Sequence, residues 1–289
     1  MKKVILVLVD GLNYETAQHR MPVLLHMTEH GKAKLHKVIA ELPTMSRPLY
    51  ETVLTGQAPC EQGVLTNNVE RLSRCPNLFS HVKAQGGCTA AAAYYWVSEL
   101  YVRAPFRYDE DRFHDDPDGN LMHGIFYWED EYPDSHLYAD ANGLIQKYHP
   151  DFALVHPMGV DNAGHDSGCD SARYRNAVQD SDQGLARFLP KWLDAGYTVV
   201  VTADHGINPD HGHGGNLDVA QHKALRFQRK VRVQLAARQA DPSERRRGAG
   251  HGLGRARAID DARAVQIHGK RHLQGQIFGV IGVRAIGIG

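Results

Sequence analysis

The chain has 289 residues, with 33 Lys+Arg against 33 Asp+Glu and a hydrophobic content of 42%. This length buries a sizeable core without disulfides or a structural metal, and allows one large α/β domain or two small ones. No apolar run approaches the roughly 20 residues that span a bilayer. The apolar start ends in Asp10 with no cleavage site after it, and Cys60, Cys75, Cys88 and Cys169 make no CxxC pair, so a reduced, cytoplasmic setting without membrane association is expected.

Residues 3–9 form a continuous apolar run that predicts a buried parallel strand closed by Asp10-Gly11. Residues 14–31 read as a helix stopped at Gly31, and residues 34–39 alternate as a strand. Pro48 suits a first helical turn, so a short helix is expected through Thr55, ending at Gly56. Residues 76–85 read as a helix and 88–93 as a small-residue strand. Residues 94–140 are aromatic, acidic and Pro-punctuated without clear period, which suggests a cap or substrate region. A helix at 137–148, a strand at 152–156, a long helix at 170–194 bent at Pro190 and a β-branched strand at 197–202 follow. This alternation predicts an α/β fold, a mainly parallel central sheet with helices on both faces and a small cap or insert.

The zero net charge hides a split. Residues 1–225 carry 19 basic and 29 acidic side chains, whereas residues 226–289 carry 14 and 4. All 12 Tyr and all 3 Trp lie before residue 226. The basic end reads either as a genuine nucleic-acid-binding arm or as a segment translated out of frame.

Functional groups of open α/β sheets gather at the carboxyl ends of strands. Asp10 and Asp204 sit there, and Asp161 follows the strand at 152–156 by a few residues. His165 lies four residues after Asp161, His205 adjoins Asp204, and His211 and His213 follow. Asp and His with an open coordination position suit Zn²⁺ or Mn²⁺. Singly, each signal also has a plain reading: Asp-Gly as a turn, Asp161/His165 as a surface helix pair. Ser46, before Pro48, is either a helix cap or, among unpaired N–H groups where an anion is welcome, a nucleophile. The three strand-end carboxylates favour the nucleophile.

Six segments occur in order: Val9-Asp10-Gly11; Pro43-Thr44-Met45-Ser46-Arg47-Pro48 with Thr55-Gly56; Gly63-Val64-Leu65-Thr66-Asn67; Asp161-x-x-x-His165; Thr202-Ala203-Asp204-His205-Gly206; and His213-Gly214-Gly215. Together they resemble the alkaline phosphatase superfamily, in its nucleotide pyrophosphatase/phosphodiesterase-like branch, over residues 1–217. The resemblance implies two adjacent divalent ions of the zinc type, with Mn²⁺ as the alternative metal. One would be held by Asp10, Ser46, Asp204 and His205, the other by Asp161, His165 and His213, with His211 as the rival of His213. It implies in-line displacement at phosphorus by Ser46, with Asn67 (rival Asn68) donating to a phosphoryl oxygen. Arg47 stands where an apolar residue is usual in this branch, so either a phosphate contact or a solvent-facing side chain is open to it.

A catalytic domain over residues 1–217 is therefore expected, joined to an anomalous Arg/Gly-rich segment at 218–289. The expected partner is a small phosphoester, cleaved at a phosphodiester or nucleotide pyrophosphate bond. Nucleic acid is a partner only if the basic end is genuine. The alternatives are a phosphonate or phosphomonoester hydrolase on the same site, or a non-catalytic metal- or nucleic-acid-binding protein.

Overall fold

A computed structural model describes residues 2–213 and 277–283. The chain-order elements are β1 (Val4–Leu8), α1 (Tyr14–Arg20), α2 (Pro22–Glu29), β2 (Ala33–Ile39), α3 (Ser46–Thr55), α4 (Pro59–Gln62), α5 (Leu78–Ala84), β3 (Thr89–Tyr94), α6 (Tyr95–Tyr101), α7 (Tyr108–Asp111), β4 (Phe113–Asp115), β5 (His123–Tyr127), α8 (Asp134–Tyr148), β6 (Phe152–Val155), α9 (Gly159–Ser167), α10 (Ala172–Asp194), β7 (Thr198–Thr202) and β8 (Ile277–Val283). The strands form one sheet in the order β2-β8-β7-β1-β6-β3-β5-β4. From β7 to β5 the pairing is parallel, and β1 lies at its heart, with Val4 opposite Phe152 of β6 on one side and Thr198 of β7 on the other. The outer pairs β4–β5, β7–β8 and β2–β8 are antiparallel.

The continuous apolar run of β1 follows from burial on both faces. Ile5, Val7 and Val9 belong to a core completed by Tyr174, Val178, Leu185 and Trp192 of α10 and Leu137 and Ile145 of α8. Leu6 and Leu8 point the other way, into a core with Tyr50 and Leu54 of α3, Phe79 of α5, and Val97 and Leu100 of α6. Period-two alternation thus feeds two layers of helices, and the expected α/β architecture is the one observed.

Several boundaries differ for local reasons. The helix expected over 14–31 is two, because Pro22 lacks the N–H that would continue α1 and instead opens α2. α3 ends at Gly56 in the left-handed region (φ 73°), and α5 starts at Asn77, whose side chain accepts from the Ser80 N–H. Residues 94–140, read as a cap or substrate region, also supply β4 and β5 to the sheet. In the basic segment 218–289, residues 277–283 form β8 between β2 and β7. The rest of that segment lies outside the described residues. Among the described residues, no helix is long and apolar enough to cross a membrane.

Candidate active site

The carboxyl ends of β1, β6 and β7, three neighbouring parallel strands, converge on one site. Asp10 follows β1 and Asp204-His205 follows β7, and all three side chains are fully buried. α9, entered just after β6, brings Asp161 and, one turn later, His165. The loop after β7 returns His213 to the same place. Ser46 is the first residue of α3.

Gly11 makes the convergence possible. Its φ is +69°, and a Cβ there would stand 2.8 Å from the Asp161 Cα. The Asp10-Gly11 step therefore presses the β1 exit directly against α9, which no other residue type allows without strain. Gly164, three residues after Asp161 on α9, is a second close approach, where a Cβ would meet Ile207 Cγ1 at 2.6 Å.

Two ligand clusters result. In Asp10, Asp204 and His205 one ligand atom from each lies within 4.8 Å of the others, and the same holds for Asp161, His165 and His213. The clusters adjoin, since the His205 and His213 rings stack at 3.8 Å. Ser46 Oγ is 3.0 Å from His205 Nε2, which itself lies 3.3 Å from Asp10 Oδ1 and 3.2 Å from Asp204 Oδ2. The N-cap of α3 is Met45, without a side-chain cap bond, so the Ser46 hydroxyl is turned to the histidine and not to the helix end.

The histidines share one arrangement. A carbonyl oxygen can only accept, so each imidazole nitrogen facing one carries the proton. His205 Nδ1 donates to Gly206 O at 3.2 Å, His213 Nδ1 to Thr44 O at 2.8 Å and His165 Nδ1 to His211 O at 2.9 Å. A neutral imidazole with its proton on Nδ1 presents Nε2 as the acceptor, the tautomer a cation takes. His211 is outside both clusters. Its Nδ1 donates to the His165 carbonyl at 3.1 Å and so props that residue.

The carboxylates strain against their burial. Asp161 and Asp204 are pushed well above the usual carboxylate range, first by burial and then by the Asp10 charge. Burial also pushes Asp10 upward, but His156, His205 and the Tyr50 hydroxyl outweigh it and hold the group well below its ordinary value. Burial lowers the His205 imidazole to about 3, against the pull of Asp10. Asp10 Oδ1, Asp161 Oδ1 and Asp204 Oδ2 are buried oxygens with no hydrogen-bond donor. Buried polar atoms are ordinarily satisfied, so three orphaned carboxylate oxygens in two clusters that also hold three histidines fit divalent cations. Oxygen and nitrogen donors of this kind suit Zn²⁺ or Mn²⁺.

Asn67 lies beside the serine. Its Oδ1 accepts from the Arg47 N–H at 3.0 Å, which leaves its NH₂ end to offer; Asn68 is exposed. Arg47 does not reach solvent, and its side chain is engaged within the protein. It is 3% exposed, pairs with Glu99 at 2.7 Å, donates to Val69 O at 2.9 Å and lies over Trp96 at 4.7 Å. Of the aromatic residues at 94–140, Tyr94, Phe126 and Tyr127 are buried, whereas Tyr108, Phe113 and Trp128 are exposed. Two residues escaped the sequence reading. Tyr50 donates its hydroxyl to Asp10 Oδ2, and His156 Nε2 stands 3.3 Å from the same oxygen. Tyr50 is one helical turn from Ser46, and His156 directly follows β6 at the active edge, so helix spacing and the strand-end rule would have found both.

The chain is similar to several known proteins. GPI ethanolamine phosphate transferase 2 of Kluyveromyces lactis is 23% identical over 242 residues, covering 78% of this chain and 29% of that protein. Murine ectonucleotide pyrophosphatase/phosphodiesterase 5 superposes with a TM-score of 0.54 at 17% identity, covering 71% of this chain and 57% of its own. Phosphonoacetate hydrolase of Sinorhizobium meliloti 1021, in complex with phosphonoformate, gives 0.52 at 19% identity, with 71% and 56% covered. The chain thus spans less than a third of its curated relative and little more than half of either solved structure. The family model of type I phosphodiesterase / nucleotide pyrophosphatase matches residues 4–247, so the chain belongs to the type I phosphodiesterase / nucleotide pyrophosphatase family.

Proposed function

We propose that the protein is a metal-dependent phosphoesterase that cleaves phosphodiester or nucleotide pyrophosphate bonds through a covalent intermediate on Ser46. The observation that carries this reading is the seating of the Ser46 hydroxyl, at the head of α3, against the His205 imidazole and beside buried carboxylates with orphaned oxygens. Asp10, Ser46, Asp204 and His205 would hold one divalent ion, and Asp161, His165 and His213 the other. Two such ions supply Lewis acidity and charge neutralisation around a phosphoryl group. Ser46 Oγ gives up its proton to solvent as it forms the bond to phosphorus, and the ester oxygen opposite leaves with its electron pair and takes a proton from solvent. Asn67, fixed by the Arg47 N–H, offers its amide to an equatorial phosphoryl oxygen. Attack by water then breaks the Ser46–phosphorus bond and regenerates the hydroxyl.

A diester fits better than a monoester. A dianionic monoester calls for more cationic contacts, and Arg47, the cation next to Ser46, is sequestered by Glu99. The transferase relatives support a second reading, in which an alcohol in place of water takes the phosphoryl group from Ser46. A panel of bis-p-nitrophenyl phosphate, p-nitrophenyl phosphate and an aryl phosphonate, with and without chelator and an added alcohol, tests both. Chelator-sensitive release from the diester supports the proposal, alcohol-dependent product supports transfer, and inertness toward all three overturns it.

A further inference from the structure

Asp10 offers its two oxygens to different neighbours. Oδ1 faces His205 Nε2 at 3.3 Å and has no hydrogen-bond donor. Oδ2 receives the Tyr50 hydroxyl and lies 3.3 Å from His156 Nε2. Both partners are fully buried, and their rings meet edge to face at 4.5 Å.

His156 is held from two strands, through its ring and through its backbone carbonyl. Its Nδ1 accepts from the Tyr94 N–H at the end of β3 at 3.4 Å. Its carbonyl accepts from the Tyr127 hydroxyl at the end of β5 at 2.7 Å. An N–H can only donate, so Nδ1 is the acceptor and Nε2 carries the proton. This is the reverse of the tautomer at His165, His205 and His213. Nε2–H makes no hydrogen bond of ordinary geometry, and the acceptor beside it is Asp10 Oδ2, 3.3 Å away. Tyr50, for its part, sits one turn along α3 from Ser46, so its hydroxyl ties the serine's own helix to Asp10.

We infer that Tyr50 and His156 form a two-donor clamp on Asp10 Oδ2, which makes Asp10 a one-oxygen ligand through Oδ1 and registers the Ser46 helix against the ion it helps to hold. Both are positioning residues: neither touches substrate. The inference rests on the two-ion reading above. Outer partners of ligating groups fix their orientation, and losing one typically weakens metal binding about 10–100-fold.

The test uses the full chain, stripped with chelator and titrated with Zn²⁺ and, separately, Co²⁺. The variants are His156→Leu, His156→Gln and Tyr50→Phe, with far-ultraviolet circular dichroism to confirm folding. The wild type is expected to take two ions. His156→Leu should weaken one of the two about 10–100-fold and leave the other unchanged. It should also shift the visible spectrum of the Co²⁺ form, because the freed Oδ2 can join the coordination. His156→Gln, whose amide N–H reaches the same oxygen, should recover most of the affinity and the spectrum. If His156→Leu does not fold, Tyr50→Phe, which removes a single oxygen, carries the same comparison. Two ions in the wild type with unchanged affinities and Co²⁺ spectra in both His156→Leu and Tyr50→Phe would overturn the clamp alone. A wild type that takes no ion would overturn the clamp together with the two-ion reading.

Discussion

Arg47 offers the sharpest separation between a structural and a substrate-binding role. Arg47→Met keeps most of the side-chain length over Trp96 and removes the charge, leaving Glu99 3% exposed without its partner at 2.7 Å. Breaking a buried pair from one side costs about 3–5 kcal/mol. A stranded carboxyl escapes by taking a proton, and neutralising an ordinary glutamate at pH 7 costs about 3.7 kcal/mol, which sets a ceiling. Glu99 also keeps the Phe106 N–H at 3.0 Å, which softens the loss. A destabilisation of about 3 kcal/mol is therefore expected, and urea unfolding followed by circular dichroism measures it. Arg47→Met/Glu99→Leu should recover most of it, since a buried ion pair replaced by apolar groups of similar volume is often neutral or better. The reasoning is refuted if Arg47→Met unfolds within about 0.5 kcal/mol of wild type, the range of an ordinary surface change. A raised KM for the diester in that stable variant would place Arg47 on the substrate instead.

Gly11→Ala should lower the melting temperature and weaken both ion sites, because it combines a left-handed backbone, costing about 1–2 kcal/mol for an L-residue, with a 2.8 Å approach to Asp161 Cα. Thermal unfolding together with ion stoichiometry checks this. Asn67→Ala should lower kcat for the diester about 10²–10³-fold, the usual cost of one oxyanion donor, whereas Asn68→Ala should be near wild type in the same steady-state assay. Burial raises the Asp134 carboxyl from 3.8 to about 6. Its folded value exceeds its unfolded one, so its contribution to stability is complete below pH 3.8 and is lost as pH rises through about 6. Asp134→Asn keeps an oxygen for the Gly159 N–H and should gain stability relative to wild type between pH 4 and pH 7.5, read from paired denaturation curves. A gap that shrinks over that range would contradict the assignment.

The sheet was legible wherever burial imposes a pattern. The apolar run before Asp10 and the β-branched run before Ala203 read directly as β1 and β7. β4 and β5 were not legible, because Phe113–Asp115 is a short edge strand and His123–Tyr127 begins with His-Gly; neither shows a period, and only pairing with neighbours makes them strands. At the site, Asp10, Asp204 and His205 were found because a strand end followed by Gly or His is a local signal. His213 and Asn67 were separated from His211 and Asn68 by residues far along the chain: Thr44, which receives the His213 Nδ1–H, and Arg47, whose N–H meets Asn67. Arg47 itself is settled by Glu99, a tertiary partner that no periodicity pairs with it. Tyr50 and His156 went unread although the spacing from Ser46 and the end of β6 mark their positions, and their contacts with Asp10 are what give them a role.

The central claim is that Ser46 is the attacking group. Its most direct test is the turnover of bis-p-nitrophenyl phosphate by full-length Ser46→Ala, assayed beside its metal content and its circular dichroism. The expected result is a folded protein that still holds two divalent ions and releases p-nitrophenol only at the background rate. Release at or near the wild-type rate would show that the serine makes no bond to phosphorus.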